Sequence, residues 1–244
     1  MLMGENAQVG FLLIHGFTGT HFEMEQLENF LKNRNYTVFN IVLPGHETSE
    51  EDLETKKWFE WTNYAQEKLD QLKNICDKIF AIGLSLGGAI TLFLGYRNPD
   101  IDGLITLATP CKPPDWKLYV LRAFPFIVYL YPRHPNLDCN WEDLDTKEVH
   151  KCYAKIPTRS ALQLHKLLIN VKRNLSRITN PILILQSKND ETVSMKHAKQ
   201  IFNNVKSKDK KMVQIEKGGH VISVDAGKEQ AFAAIEEWIK ERIV

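Results

Sequence analysis

Ser85 lies at the centre of a glycine-rich stretch that could support nucleophilic catalysis. The stretch reads Ala-Ile-Gly-Leu-Ser-Leu-Gly-Gly-Ala, with Gly83 two residues before the serine and Gly87 two residues after it. An apolar run of strand length precedes it and helical apolar spacing follows, which predicts a tight strand-to-helix turn. Small flanking residues allow such a turn, whose central residue is strained. The pattern predicts a serine hydroxyl exposed at the head of a helix, although a purely structural glycine turn is the alternative.

Acyl transfer by a serine also requires a base and a carboxylate that orients the base. His220 follows a predicted strand in Glu-Lys-Gly-Gly-His-Val, and Asp190 follows another in Gln-Ser-Lys-Asn-Asp-Glu. Both lie just beyond strand ends, as Ser85 does, and open α/β sheets place their sites at this carboxyl edge. The chain order serine, aspartate, histidine is typical of enzymes whose nucleophilic serine lies on such a strand-to-helix turn, the nucleophile elbow. Glu191 and Asp225 are the alternative carboxylates.

The oxyanion that develops during acyl transfer requires backbone N–H donors. Leu86, the residue after the predicted nucleophile, offers one such donor at the start of its helix. The loop after the first strand reads His-Gly-Phe-Thr-Gly-Thr, and we expect the N–H of Phe17 to point inward as the second donor. His15 is expected to brace this loop and not to transfer protons. We expect the substrate pocket to be lined by Phe17, Val193 and Val221.

Strand-like runs alternate with helical patterns along most of the chain. Strands are predicted at Val9–Ile14, Thr37–Leu43, Lys78–Ile82, Ile101–Ala108, Pro181–Gln186 and Lys211–Glu216. Helices are predicted at Phe22–Asn33, Trp58–Asn74, Ala89–Arg97, Ser194–Asn204 and Lys228–Arg242. This alternation predicts an α/β fold with a mostly parallel sheet and helices on both of its faces.

The alternation stops over residues 111–175, which predicts a cap (lid) inserted into a core of residues 1–110 and 176–244. The first half of the insertion is rich in aromatic and aliphatic residues from Trp116 to Tyr131. The second half carries apolar residues at the spacing of an amphipathic helix. These residues are Leu164, Leu168, Val171 and Leu175. We expect the cap to fold over the carboxyl edge of the sheet and to roof the serine with an apolar tunnel.

The motifs together resemble the α/β-hydrolase superfamily, and within it the small bacterial carboxylesterases and monoacylglycerol lipases. They are His-Gly-Phe-Thr-Gly-Thr, Gly-Leu-Ser-Leu-Gly-Gly, the Asn-Asp pair after an apolar strand, and Gly-Gly-His-Val-Ile. The resemblance covers the whole chain and implies Ser85 as nucleophile, His220 as base and Asp190 as its orienting carboxylate, with Phe17 and Leu86 as oxyanion donors. One departure is Glu47, which follows Pro-Gly-His where many relatives carry glycine. This loop belongs to the pocket rim, so the departure concerns substrate preference.

The resemblance implies a serine hydrolase that cleaves carboxylic esters of short to medium acyl chains through an acyl-enzyme. Such an enzyme, a carboxylesterase or monoacylglycerol lipase, requires neither a cofactor nor a metal. A thioesterase or amidase that uses the same machinery is the alternative among enzymes. A non-catalytic sensor of a small apolar ligand is the alternative from another class. The cap could also touch a lipid surface while it receives a monoacylglycerol.

Composition argues against several other classes of protein. The 244 residues include 31 Lys and Arg against 30 Asp and Glu, and a net charge of +1 creates no field that attracts nucleic acid. No apolar run approaches the ~20 residues of a membrane span. The absence of a Cys-x-x-Cys pair and of a recognisable signal segment before the first strand leads us to expect reduced thiols in the cytoplasm.

The remaining cysteines and histidines show no spacing typical of a metal site. We expect the cysteines to be buried or inert; they are Cys76, Cys111, Cys139 and Cys152. We expect the other histidines at the surface or on the pocket rim; they are His21, His46, His134, His150, His165 and His197.

Overall fold

The chain folds around a parallel β-sheet in its computed structural model, which describes residues 8–112, 131–136 and 139–243. The strands are β1 (Val9–Ile14), β2 (Thr37–Ile41), β3 (Lys78–Leu84), β4 (Gly103–Leu107), β5 (Arg133–Pro135), β6 (Lys155–Pro157), β7 (Ile182–Ser187) and β8 (Lys210–Ile215). Six of them form one sheet in the order β2-β1-β3-β4-β7-β8, and every neighbouring pair runs parallel. The predicted sheet is therefore confirmed, with strand ends shifted by at most two residues.

Helices follow most of these strands. They are α1 (Phe22–Lys32), α2 (Glu50–Thr55), α3 (Trp58–Lys73), α4 (Leu86–Arg97), α5 (Leu144–Val149), α6 (Thr158–Asn174), α7 (Met195–Asn204) and α8 (Lys228–Ile243). The predicted helices are all present, and α4 begins three residues earlier than expected, directly after Ser85. Within the described ranges, no helix is long and apolar enough to cross a membrane.

The sheet is covered by helices on both faces, as predicted. Leu12 and Ile14 of β1 pack on the side of α3, α4 and α6, around the fully buried Trp61. Phe11 and Leu13 point the other way, because neighbouring strand residues alternate, and pack on the side of α1 and α8. Each face therefore has its own apolar core, and the carboxyl edge between them is left for the loops.

The stretch between β4 and β7 contains β5, α5, β6 and α6, in the region predicted to be an insertion. Strands β5 and β6 form a separate antiparallel pair. Helix α6 buries Leu168 and Val171 in the core beside α3 and α4, and Leu164 is partly buried against the same core. This confirms the predicted amphipathic helix. Of the aromatic stretch Trp116–Tyr131, the residues before 131 lie outside the described ranges.

Candidate active site

Ser85 occupies the turn between β3 and α4. Its backbone angles, φ 52° and ψ −108°, fall in a strained region for a residue with a side chain. The Ser85 N–H donates to the carbonyl of Leu107 at 2.9 Å, which ties the turn to the end of β4. A Cβ at Gly83 would overlap the backbone of Gly87, and one at Gly87 would overlap the carbonyl of Ile14. The predicted tight turn is therefore confirmed, and close backbone approach explains the glycines that flank the serine.

Asp190 and His220 are in direct contact beyond the ends of β7 and β8. His220 Nδ1 lies 2.9 Å from Asp190 Oδ2, and both residues are buried. Asp190 Oδ1 accepts the N–H groups of Thr192 and Val193, each at 2.8 Å. The side-chain amide of Gln186 donates to Asp190 Oδ2 at 2.8 Å. With the carboxylate as acceptor, Nδ1 of His220 is the donor of this bond, and in a neutral ring Nε2 then presents a lone pair.

The alternative carboxylates have different partners. Asp225 is fully buried, and its Oδ2 accepts the N–H of Gly219 at 2.5 Å. Its Oδ1 accepts the N–H of Asp143 at 2.7 Å, so Asp225 ties the loop before His220 to the insertion. Glu191 is exposed. The structure therefore brings Asp190 to the histidine ring, whereas Asp225 binds backbone groups.

The N–H groups of Phe17 and Leu86 donate to no other group in the described part of the chain. Leu86 is the first residue of α4, where N–H groups point out of the helix and favour anions. Gly87 of the same helix lies against the carbonyls of Ile14 and His15, at the start of the loop that carries Phe17. The two donors therefore lie on adjoining segments near the end of β1.

The ring of His15 fixes the loop that carries Phe17. Its Nε2 accepts the N–H of Leu43 at 3.1 Å, so its Nδ1 donates to the carbonyl of Gly16 at 2.8 Å. Burial lowers the pKa of His15, which keeps the ring neutral. In a trans peptide the Gly16 carbonyl and the Phe17 N–H point in opposite directions, so this bond orients the Phe17 donor. The predicted bracing role of His15 is confirmed.

The residues expected to line the substrate pocket are buried or half-buried. Of the residues assigned to the pocket, Phe17 is half-buried and packs against His46 and Trp61, with ring centroids 6.3 and 6.0 Å away. Val193 and Val221 are buried. Burial and the neighbouring His15 lower the pKa of His46 to about 3, so this wall of the loop carries no charge. Contact of Phe17, Val193 and Val221 with a substrate stays a prediction.

The remaining histidines were expected at the surface or on the pocket rim, and three of them do not lie at the surface. His46, His165 and His197 are buried. His197 is buried because its Nδ1 accepts the N–H of Cys111 at 2.9 Å, where the insertion begins.

The cysteines differ in their exposure. Burial raises the pKa of the Cys139 thiol to about 12, whereas Cys152 is exposed. Among the described residues, no group of three or more His, Cys, Asp and Glu side chains could hold a metal ion.

Glu47, which follows Pro-Gly-His, has a backbone conformation that favours glycine. Its φ is 56°, in the left-handed region that favours glycine. The Glu47 carboxylate accepts the N–H of His21 at 2.6 Å and contacts its Nδ1 at 2.7 Å. Burial would raise the pKa of Glu47, but these bonds lower it. The side-chain contacts therefore offset part of the backbone strain at this position.

The insertion contacts several loops at the carboxyl edge of the sheet. The Asn136 side-chain amide donates to Thr18 Oγ1 at 3.0 Å, in the loop after β1. The Tyr153 hydroxyl donates to the carbonyl of Gly45 at 2.9 Å, in the loop after β2. Sequence reasoning missed these residues because contacts between distant loops leave no pattern of spacing.

A buried ion pair also joins the insertion to α1. His150 Nε2 lies 3.0 Å from Glu23 Oε1, and only 9% and 6% of the two side chains is exposed. Burial alone would lower the pKa of His150, but hydrogen bonds with Cys152 and Glu23 raise it to about 9. His150 is therefore charged at neutral pH, and the pair is ionic.

We expect this pair to make stability depend on pH. A raised pKa in the folded state contributes stability that is complete below the unfolded value near 6.5 and is lost as the pH rises through about 9. The gap in unfolding free energy between wild type and His150→Phe should therefore shrink from pH 7 to pH 10, by at most about 3 kcal/mol. Urea titrations at both pH values measure it, with the exposed His134→Gln as control. A gap that stays constant with pH would show that His150 is not charged by this pair.

Comparisons with known proteins agree with the fold of this chain. The family model described as serine aminopeptidase, S33, matches residues 6–227. The thermostable monoacylglycerol lipase of Bacillus sp. (strain H-257) is 35% identical over 91% of this chain and 86% of its own length. The carboxylesterase of Bacillus subtilis (strain 168) is 27% identical over 94% and 92%. A solved structure of the metagenome-derived lipolytic enzymes LipS and LipT superposes with a TM-score of 0.88 at 25% identity, covering 97% of this chain and 95% of that one.

Proposed function

The chain belongs to the serine aminopeptidase S33 family and is an α/β-hydrolase that cleaves carboxylic esters; from this premise we propose that Ser85, His220 and Asp190 form its catalytic triad. The observation that carries the proposal is the 2.9 Å contact between His220 Nδ1 and Asp190 Oδ2. It leaves the lone pair of His220 Nε2 available as a base. The strained turn at Ser85 supports the same assignment, as do the N–H groups of Phe17 and Leu86, which have no acceptor among the described residues.

The proposed reaction passes through an acyl-enzyme. His220 Nε2 takes the proton of Ser85 Oγ as this oxygen attacks the ester carbonyl, and the N–H groups of Phe17 and Leu86 stabilise the oxyanion. When the tetrahedral intermediate collapses, His220 returns the proton to the leaving alcohol. Water then attacks the acyl group on Ser85 while His220 takes a proton from it. When the bond from the acyl carbon to Ser85 Oγ breaks, His220 returns this proton to Ser85 Oγ and the acid leaves.

We further propose that residues 111–175 form a cap over a core of residues 1–110 and 176–244. The bonds from Asn136 to Thr18 and from Tyr153 to Gly45 support this division, because they hold the insertion over loops at the carboxyl edge. The exposed side chains of Leu144 and Val149 on α5 would suit a cap that touches a lipid surface, since their contact with water is unfavourable.

The substrate class that fits this arrangement is an ester with a medium-length acyl chain, such as a monoacylglycerol. Each methylene buried in an apolar tunnel contributes ~0.8 kcal/mol, so kcat/KM should climb from acetate to medium chains and fall once the tunnel is full. A series of p-nitrophenyl esters and of 1-monoacylglycerols from C2 to C16 measures this profile. Matched butyryl thioesters and anilides serve as controls for the leaving group. Faster turnover of the thioester or anilide, or acetate as the best ester, would contradict the proposed substrate class.

A further inference from the structure

Glu23 contacts the loop that carries the Phe17 donor, and both of its carboxylate oxygens make hydrogen bonds. Oε2 accepts the N–H of Gly16 at 2.6 Å, and Oε1 contacts His150 Nε2 at 3.0 Å. Glu23 belongs to the first turn of α1, where a negative charge is favourable. A single buried carboxylate therefore joins the loop after β1, helix α1 and the insertion.

The Glu23 carboxylate is close enough to the loop to determine its path. A Cβ at Gly19 would overlap the carboxylate of Glu23, and one at Gly16 would come within 3.0 Å of Oε2. The loop therefore rests directly on the carboxylate between Gly16 and Gly19. Since Phe17 follows Gly16 in this loop, a shift of the carboxylate would shift the Phe17 N–H as well.

The insertion also contacts the same loop directly. The N–H of Tyr153 donates to the carbonyl of Thr18 at 3.2 Å, and Asn136 donates to the hydroxyl of Thr18. Thr18 itself has φ 63°, a left-handed conformation that a threonine adopts only when its surroundings hold it there. The loop is thus held by Glu23 and by the insertion, and His150 connects the two supports.

The ion pair is not explained by stability alone. Burying a carboxylate and an imidazolium costs several kcal/mol per ion, and apolar replacements of such pairs are often equally stable or more stable. What apolar groups could not supply is an acceptor for the buried Gly16 N–H together with a bond to the insertion. The pair therefore holds the loop through hydrogen bonds that apolar side chains could not make.

We infer that Glu23 and His150 are positioning residues that hold the Phe17 N–H in place for the oxyanion, so that this donor is correctly placed only while the insertion is docked. This inference rests on the proposed function of Phe17 at the ester-cleaving site. Neither residue contacts the reacting atoms. Their effect should therefore appear in the stabilisation of the transition state, with little change in substrate binding.

The test compares three single variants and one double variant with a control on the same helix turn. Glu23→Met keeps the side-chain volume but removes both bonds, Glu23→Gln retains an oxygen for the Gly16 N–H, and His150→Phe breaks the pair from the insertion side. The exposed Glu25→Gln is the control. For each folded full-length protein, kcat and KM for p-nitrophenyl butyrate are measured, together with the Kd of butylboronic acid, whose adduct with serine mimics the tetrahedral intermediate.

We expect kcat of Glu23→Met to fall about ten- to a hundredfold, somewhat less than the loss of a complete oxyanion donor. The boronic acid should bind more weakly by a similar factor, KM should stay within about twofold, and Glu23→Gln should recover part of the loss. Loss of both partners in the double variant Glu23→Met, His150→Phe should cost little more than loss of Glu23 alone, because the two act as one unit.

The inference would be overturned if kcat and boronic acid affinity of Glu23→Gln and His150→Phe both matched those of Glu25→Gln, or if only KM changed. If Glu23→Met does not fold, these two milder variants decide the outcome. A wild-type protein that neither cleaves the ester nor binds the boronic acid would instead refute the proposed function. Normal wild-type turnover with unaffected variants would refute the positioning role alone.

Discussion

Replacing Ser85 with alanine is expected to abolish ester hydrolysis while the protein folds normally. Loss of the nucleophile in a serine hydrolase costs on the order of 10⁶-fold in kcat. Folding should survive because the side chain is only half-buried and the turn is held by backbone contacts, such as the bond from the Ser85 N–H to Leu107. Alanine accepts the same strained angles about as well as serine does.

The measurement is the hydrolysis rate of p-nitrophenyl butyrate by purified Ser85→Ala, with binding of butyrate as a check that the pocket is intact. Ser194→Ala is a matched control, since Ser194 is exposed and its side chain makes no capping bond to α7. We expect the control to retain full activity. If Ser85→Ala kept a tenth of the wild-type rate, another residue would have to be the nucleophile.

Asp190→Asn should cause the next largest loss, about 10⁴-fold in kcat, the loss known for the equivalent change in serine proteases. The carboxylate accepts hydrogen bonds from four donors, namely Thr192 N, Val193 N, Gln186 Nε2 and His220 Nδ1. Each carboxylate oxygen accepts two of these bonds, Oδ1 from Thr192 N and Val193 N and Oδ2 from Gln186 Nε2 and His220 Nδ1. An asparagine amide offers only one oxygen, so its NH₂ group must face one of these two pairs of donors. The histidine then loses the partner that fixes its tautomer.

Two control variants distinguish this role from general disruption. Glu191→Gln changes an exposed neighbour and should leave kcat unchanged. Asp225→Asn should lower thermal stability, because the Asp225 carboxylate binds backbone N–H groups of Gly219 and Asp143. We expect its kcat, measured well below the unfolding temperature, to fall far less than that of Asp190→Asn. Equal losses in kcat at the two aspartates would reopen the assignment of the orienting carboxylate.

The sheet was predictable because its strands are short, nearly continuous apolar runs. Such runs are typical of parallel strands that are buried on both faces, and β1 and β7 are buried along their entire length. Helix α2 could also have been found from sequence, since Ser49 precedes three acidic residues and its side chain accepts the N–H of Asp52. Helix α5 could not, because none of its residues is buried and it has no apolar stripe.

The chemical groups of the site were predictable from sequence, whereas their supports were not. Ser85, Asp190 and His220 each follow a strand, and this placement alone directs them to one edge of the sheet. Glu23 and His150 have no such relation, since they are 127 residues apart and meet only because the insertion packs against the loop after β1. Contacts of this kind arise from tertiary packing, so no local pattern reports them.

The identity of the nucleophile is tested most directly by mass spectrometry of the wild-type protein treated with an alkyl fluorophosphonate. This reagent forms a stable bond to an activated serine and mimics the acylation step. The proposed triad predicts loss of esterase activity in proportion to one adduct per chain, located on Ser85 and absent from Ser85→Ala. Complete inhibition with the adduct on any other residue, or no adduct on an enzyme that hydrolyses esters, would contradict it.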